Sequence, residues 1–256
     1  MGPISRAREA FSDIYERNVW GKGSGVGSEV AHTRDYVSLL NTFIAENKIK
    51  SVVDFGCGDW QFSRQMDWSG IRYYGFDVVP SLIEANNAAF AIPNITFHLV
   101  EDGIALPSAD LVLCKDVLQH LPIVEVRRYL ELFKALYRNI VITNDVWPEA
   151  NLNVDIEPGQ CRPLRLDLPP FDEALDILLT WEVNAYGSSS TKQTCLLRGV
   201  RTSPPQSLIL NDRNAPADVV AQTKRSMLHA LRELIRDTPL APLARGARRL
   251  LTRGRP

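Results

Sequence analysis

Two glycines and two aspartates close an apolar run in Ser51-Val-Val-Asp54-Phe-Gly56-Cys57-Gly58-Asp59-Trp60, a combination suited to holding a small charged ligand against the main chain. Glycine at 56 and 58 permits backbone angles that side chains forbid and lets a ligand approach closely. The residues that follow can open a helix with its positive end toward that ligand. The run departs from the dinucleotide pattern G-x-G-x-x-G, because Asp54 precedes the first glycine, Asp59 follows the second, and Gln61 stands where the third would be. Two carboxylates there would repel a pyrophosphate and suit a cation. A lone Gly-x-Gly is also an ordinary turn, so the surrounding elements must decide.

An acidic-x-Gly-x-Gly run at the end of a first strand resembles the cofactor loop of the class I S-adenosylmethionine (SAM)-dependent methyltransferases, and four further segments agree in order. Ile71 to Asp77 is a second apolar strand ending in an acid, Ile95 to Val100 a third followed by Glu101-Asp102, Ala109 to Cys114 a fourth followed by Lys115-Asp116, and Asn139 to Asp145 a fifth. The resemblance covers residues 30 to 145 and, more loosely, the segment after them. It implies SAM as cofactor, with Asp54, Gly56, Cys57 and Gly58 in the loop. Asp77 would accept hydrogen bonds from both ribose hydroxyls, with Val78 beside it. Glu101 or Asp102 would lie near the adenine amine, and Lys115 near the site after strand four.

Ligands of open α/β sheets bind beyond the carboxyl ends of the strands, which directs the search for an acceptor site to three places. If Asp116 to Leu121 forms a helical turn, Asp116 and His120 share a face. An alcohol attacking a sulfonium methyl must lose its proton, and His120 suits that role as general base with Asp116 fixing its tautomer. The plain alternative is a histidine packed at a helix end with Asp116 capping the turn. Asn144-Asp145 is the second place; with Asp116 these residues could bind Mg²⁺, as the resemblance to metal-using sugar methyltransferases implies, or simply form a turn. Trp20-Gly-Lys-Gly-Ser24-Gly-Val-Gly-Ser28 is the third, a lid loop with Trp20 as platform and Ser24 or Ser28 as donors, or else a flexible linker. It lacks the Gly-Lys-Ser/Thr ending of a P-loop. This run and Arg162 to Phe171 resemble bacterial methyltransferases associated with polysaccharide.

Elements able to position these residues follow from periodicity. Helical spacing marks residues 4 to 17, 29 to 47, 61 to 67, 80 to 89 and 123 to 137, alternating from residue 51 onward with the apolar runs. Leu178 to Val183 and Thr194 to Val200 form two β-like runs around Gly187-Ser-Ser-Ser190. The expected class is α/β: a Rossmann-like, seven-stranded, mostly parallel sheet with an antiparallel edge hairpin and helices on both faces. Residues 1 to 48 would form N-terminal helices and the lid, 49 to 201 the SAM-binding core, and 202 to 256 an amphipathic helix at Ala217 to Ile235 with a basic tail.

A formal net charge of −1 over 256 residues gives no electrostatic case for nucleic acid. Cysteines 57, 114, 161 and 195 lack C-x-x-C spacing, which implies neither a zinc site nor a disulfide framework. With no apolar leader or membrane-length run, the expected location is cytoplasmic, with a small-molecule or oligosaccharide substrate and a second copy of the chain as a candidate partner. The expected activity is O-methylation of a sugar or polysaccharide hydroxyl, with a mannoside among the candidate acceptors. The alternatives are methylation of a small metabolite or natural product, and a non-catalytic SAM-binding assembly subunit.

Overall fold

The computed structural model describes residues 2–21, 23–101, 106–146, 153–185 and 188–200. Asp102 and the C-terminal helix and tail expected beyond residue 201 lie outside the described residues. Within them the chain builds a seven-stranded sheet in the order β3-β2-β1-β4-β5-β7-β6. Strands β1 (Ser51–Phe55), β2 (Arg72–Asp77), β3 (Ile95–Leu99), β4 (Leu111–Lys115) and β5 (Asn139–Val146) run parallel, while β7 (Ser188–Arg198) lies antiparallel between β5 and β6 (Asp176–Ala185). The expected fold class is therefore the observed one.

The central strands are apolar without alternation because both faces are covered: every residue of β1 and of β4 is buried. Helix α2 (Val30–Glu46) buries Tyr36, Leu40, Phe43 and Ile44 at helical spacing, and α4 (Ile123–Leu136) buries Val126, Tyr129, Leu130 and Phe133. Proline opens α1 (Pro3–Glu16) and α3 (Pro80–Phe90) at the first turn, where its missing N–H costs nothing. Helix α1 buries Ile4, Ala7 and Phe11, and Arg8 ties it across the sheet end, donating to the carbonyls of Val78 at 3.2 Å and Val100 at 2.7 Å.

Two local expectations fail. The helix expected over 61 to 67 is only a 3-10 turn at Ser63–Gln65, so the glycine loop is not followed by a helix N-terminus. Trp60, Phe62, Met66 and Trp68 are all buried, a set that would point around the whole circumference of a helix; the segment instead lies flat on the core. The edge strands also run longer than expected, with Ser188 to Ser190 inside β7 rather than in the connecting turn.

Candidate active site

The carboxyl ends of β1, β2 and β4 open into a cleft roofed by α1 and the loop after it. Gly56 and Gly58 turn there with φ of +81° and +54°. The turn is held from below: the Gly56 and Cys57 amides donate to the Phe76 carbonyl at 2.7 and 3.0 Å. Asp77 accepts from the Gly58 amide at 3.0 Å on one oxygen and from the Val79 amide at 3.0 Å on the other. Each oxygen keeps a lone pair for a ligand, and Asp77, Cys57, Gly56, Gly58 and Val78 all line the cleft. Ala7, Phe11 and Tyr15 of α1 form the facing apolar wall.

Asp54 does not join them. It is 1% exposed and lies under the loop, accepting from the Tyr73 hydroxyl at 2.5 Å and the Ser63 hydroxyl at 3.3 Å. Burial pushes its carboxyl up to about 6 against those hydrogen bonds. The expected pair of carboxylates facing the ligand is thus corrected to Asp59 and Asp77, which both line the cleft. Glu101 is exposed and is not among the residues that line it.

The glycine-rich segment lies over the cofactor loop as a closed strap. Ser24 donates to Asp59 at 2.7 Å and accepts from the Asp59 amide at 3.0 Å, with the Tyr15 hydroxyl 2.8 Å away. At its other end the Gly27 carbonyl accepts from Lys115 at 2.8 Å. Neither glycine has room for a side chain: a carbon on Gly58 would lie 2.2 Å from the Ser24 hydroxyl of the strap, and one on Gly56 would lie 2.2 Å from Val117 in the turn after β4. Gly56→Ala, placed in the left-handed region and against Val117, is expected to cost about 2 kcal/mol or more in thermal unfolding. Unchanged melting would show that the loop relaxes freely.

Past β4 the residues are charged. Lys115 is buried and also contacts the faces of Tyr36 and Phe62, and its ammonium is paired with one oxygen of Asp116. Lys192 of β7 pairs with the other oxygen of Asp116 at 2.9 Å and with Asp145 at 2.8 Å. Gln119 grips Asp145 from the far side, donating to its carboxylate at 2.9 Å and accepting from its amide at 2.5 Å. Burial alone would raise Asp116, but the two ammonium groups overturn that and hold it at about 2. Asp116 and Lys115 line the cleft.

Residues 53–140 match a family model described as a methyltransferase domain. The chain carries a methyltransferase domain. Solved structures agree in fold. Magnesium protoporphyrin IX methyltransferase from Synechocystis PCC 6803, with bound SAM, is 18% identical with a TM-score of 0.52, covering 77% of this chain and 98% of that one. 1,6-Didemethyltoxoflavin-N1-methyltransferase from Burkholderia thailandensis, with S-adenosylhomocysteine, is 16% identical with a TM-score of 0.54, covering 77% and 91%. Human N-acetylserotonin methyltransferase, with SAM, is 16% identical with a TM-score of 0.50, covering 75% and 59%. No curated protein matches in sequence.

In this methyltransferase the expected partnership of Asp116 with His120 does not form. Asp116 takes a left-handed φ of +56° and turns to the lysines, while the helical turn expected from 116 to 121 is a 3-10 turn at Leu118–His120. The His120 Nδ1 lies 2.9 Å from the Gln160 carbonyl, so that backbone oxygen, not a carboxylate, fixes the tautomer. Its ring sits behind Trp20 at a centroid distance of 5.2 Å and edge-on to Phe11 at 6.3 Å. Trp20 and Phe11 line the cleft.

The expected Mg²⁺ site does not fit either. An ammonium already bridges Asp116 and Asp145, where Mg²⁺ would need oxygens at about 2.1 Å. Asn144 is buried in mid-strand, and alternation along β5 puts it on the face opposite Asp145. Among the described residues no cluster of three or more His, Cys, Asp or Glu is placed to hold a metal. Lys192, Gln119, Tyr15 and Gly27 were not singled out from the sequence. Parity in β7 offered a signal for Lys192, which shares a face with Thr194 and Leu196, both buried.

Proposed function

We propose that this protein transfers the methyl group of SAM to a hydroxyl of a sugar or polysaccharide acceptor, with a mannoside as the first candidate. Bound SAM supplies an electrophilic methyl on a sulfonium. The chain's own residues do the rest. Asp77 accepts from the ribose diol, and the Gly56-Cys57-Gly58 turn lets the ligand lie against the backbone. Asp59 and Asp77 place negative charge on a cleft that takes a cation. Residues 1 to 48 supply helices and the lid loop, and residues 49 to 201 the SAM-binding core.

The observation that carries the acceptor reading is the polar part of the cleft lining, where Lys115 and Asp116, backed by Lys192, Asp145 and Gln119 behind them, share the wall with the indole of Trp20. A hydroxyl compound can hydrogen-bond to these two charged groups where they face the cleft. His120 takes the acceptor proton on Nε2, the nitrogen left unprotonated by the bond from Nδ1 to Gln160. That role requires Trp20 to swing aside, as a lid residue would. With its proton passed to His120, the acceptor oxygen would take the methyl that bound SAM supplies, and S-adenosylhomocysteine would be the second product.

One observation favours a small metabolite instead: Phe11, Phe55, Leu121 and Tyr129 give the same cleft a broad apolar wall. Transfer from methyl-labelled SAM to a panel of mono- and oligosaccharides, with and without chelator, separates the two. Label in a glycan, undiminished by chelator, is the expected result. Tight binding of S-adenosylhomocysteine with no glycan labelled would move the reading to a small metabolite.

A further inference from the structure

We propose that Lys192 is the resident cation of the acceptor end, its ammonium holding Asp116 and Asp145 together in the place a divalent metal would occupy, so that this site works without one. The inference stands on side-chain geometry and does not depend on the acceptor being a sugar. Lys192 is 4% exposed and reaches Asp116 at 2.9 Å and Asp145 at 2.8 Å. Those two aspartates come from the ends of β4 and β5, and an unbridged pair of half-buried carboxylates side by side would repel.

The other oxygens are also used. Lys115 takes the second oxygen of Asp116 and Gln119 the second oxygen of Asp145. Two lysines thus face two aspartates, and the set is neutral as it stands. Adding a divalent ion would leave two surplus positive charges in a poorly solvated place, and would require Lys192 to retreat. It has nowhere to go, because the strap lies against its stem: a side-chain carbon built on Gly27 would be 2.6 Å from the Lys192 Cε. Register fixes the lysine from below, where Lys192 pairs with Asp145 across the antiparallel β5–β7 ladder.

The lysine therefore acts as a positioning residue. It orients two carboxylates, and of these Asp116 opens onto the cleft. Its removal should do more than loosen the site. Lys192→Met keeps the aliphatic stem and leaves two carboxylates with no bridging charge, which is an oxygen-rich vacancy suited to a hard cation.

Titration calorimetry of the full chain with MnCl₂ tests this. The wild type should show no saturable Mn²⁺ binding. Lys192→Met should gain a saturable site, with an affinity about 10-fold or more above the weakest binding the titration detects, and Lys192→Met with Asp145→Asn should lose it again. Lys192→Gln, which keeps a neutral donor between the carboxylates, serves as the second variant with the same expected gain. Binding of S-adenosylhomocysteine reports folding of every variant, so failure of the metal result is distinguishable from failure of the SAM reading. Saturable Mn²⁺ binding by the wild type that Asp116→Asn abolishes would overturn the proposal, as would folded Lys192→Met and Lys192→Gln proteins that bind none.

Discussion

Asp77→Asn should weaken binding of SAM and of S-adenosylhomocysteine by about 100-fold, equivalent to about 3 kcal/mol. The carboxylate accepts on both oxygens from the Gly58 and Val79 amides, and in the proposed complex it also accepts from both ribose hydroxyls. An asparagine has only one acceptor oxygen, so its amide nitrogen must face one of the two backbone N–H groups, donor against donor. That conflict weakens the loop before any ligand arrives. The lost charge then weakens each remaining hydrogen bond, since charge-assisted bonds are about twice as strong as neutral ones. Calorimetry with S-adenosylhomocysteine reads the effect, and unchanged affinity would remove Asp77 from the cofactor site.

His120→Ala should lower kcat by about 10²- to 10⁴-fold, the usual contribution of a positioned base, while leaving S-adenosylhomocysteine affinity as it was. Burial holds the imidazole below its ordinary pKa of 6.5, with the bond to Gln160 opposing the shift. The neutral ring is the active form. Wild-type turnover should therefore be flat through neutral pH and fall only as acidification passes that lowered pKa, and the variant should lack this acid limb. Equal turnover by the variant, or the same limb in both proteins, would make His120 a packing residue behind Trp20.

Much of the scaffold could be read from local sequence, because strands buried on both faces are near-continuous apolar runs and their ends carry the acids and glycines. Helices α1, α2, α3 and α4 likewise lie within two residues of the spans their periodicity marks. The segment after Trp60 was misread for a tertiary reason: its aromatic side chains all find the core, and that burial overrides helical preference. The acceptor end was only half legible. Asp116, His120 and Asp145 stand at strand ends where function is expected, yet the partners that determine what they do come from far along the chain. Lys192 is 76 residues from Asp116, and Gln160 is 40 from His120. Nothing local in Asp116-Val-Leu-Gln-His120 announces that the acid turns toward lysines and the imidazole toward a carbonyl.

The antiparallel pairing of β7 with β5 has a consequence for how this chain can change in length. Lys192 faces Asp145, and Thr194 faces Thr143 with their hydroxyls 2.8 Å apart. Side chains alternate along a strand, so inserting or deleting a single residue between Lys192 and Thr194 would send the ammonium to the far side of the sheet and bring an uncharged neighbour into its place. Changes by two would restore the side but shift the rung. Loop length at that tip is therefore free to drift, whereas the count of residues within the strand behaves as part of the reactive centre, a constraint written in spacing rather than in residue type.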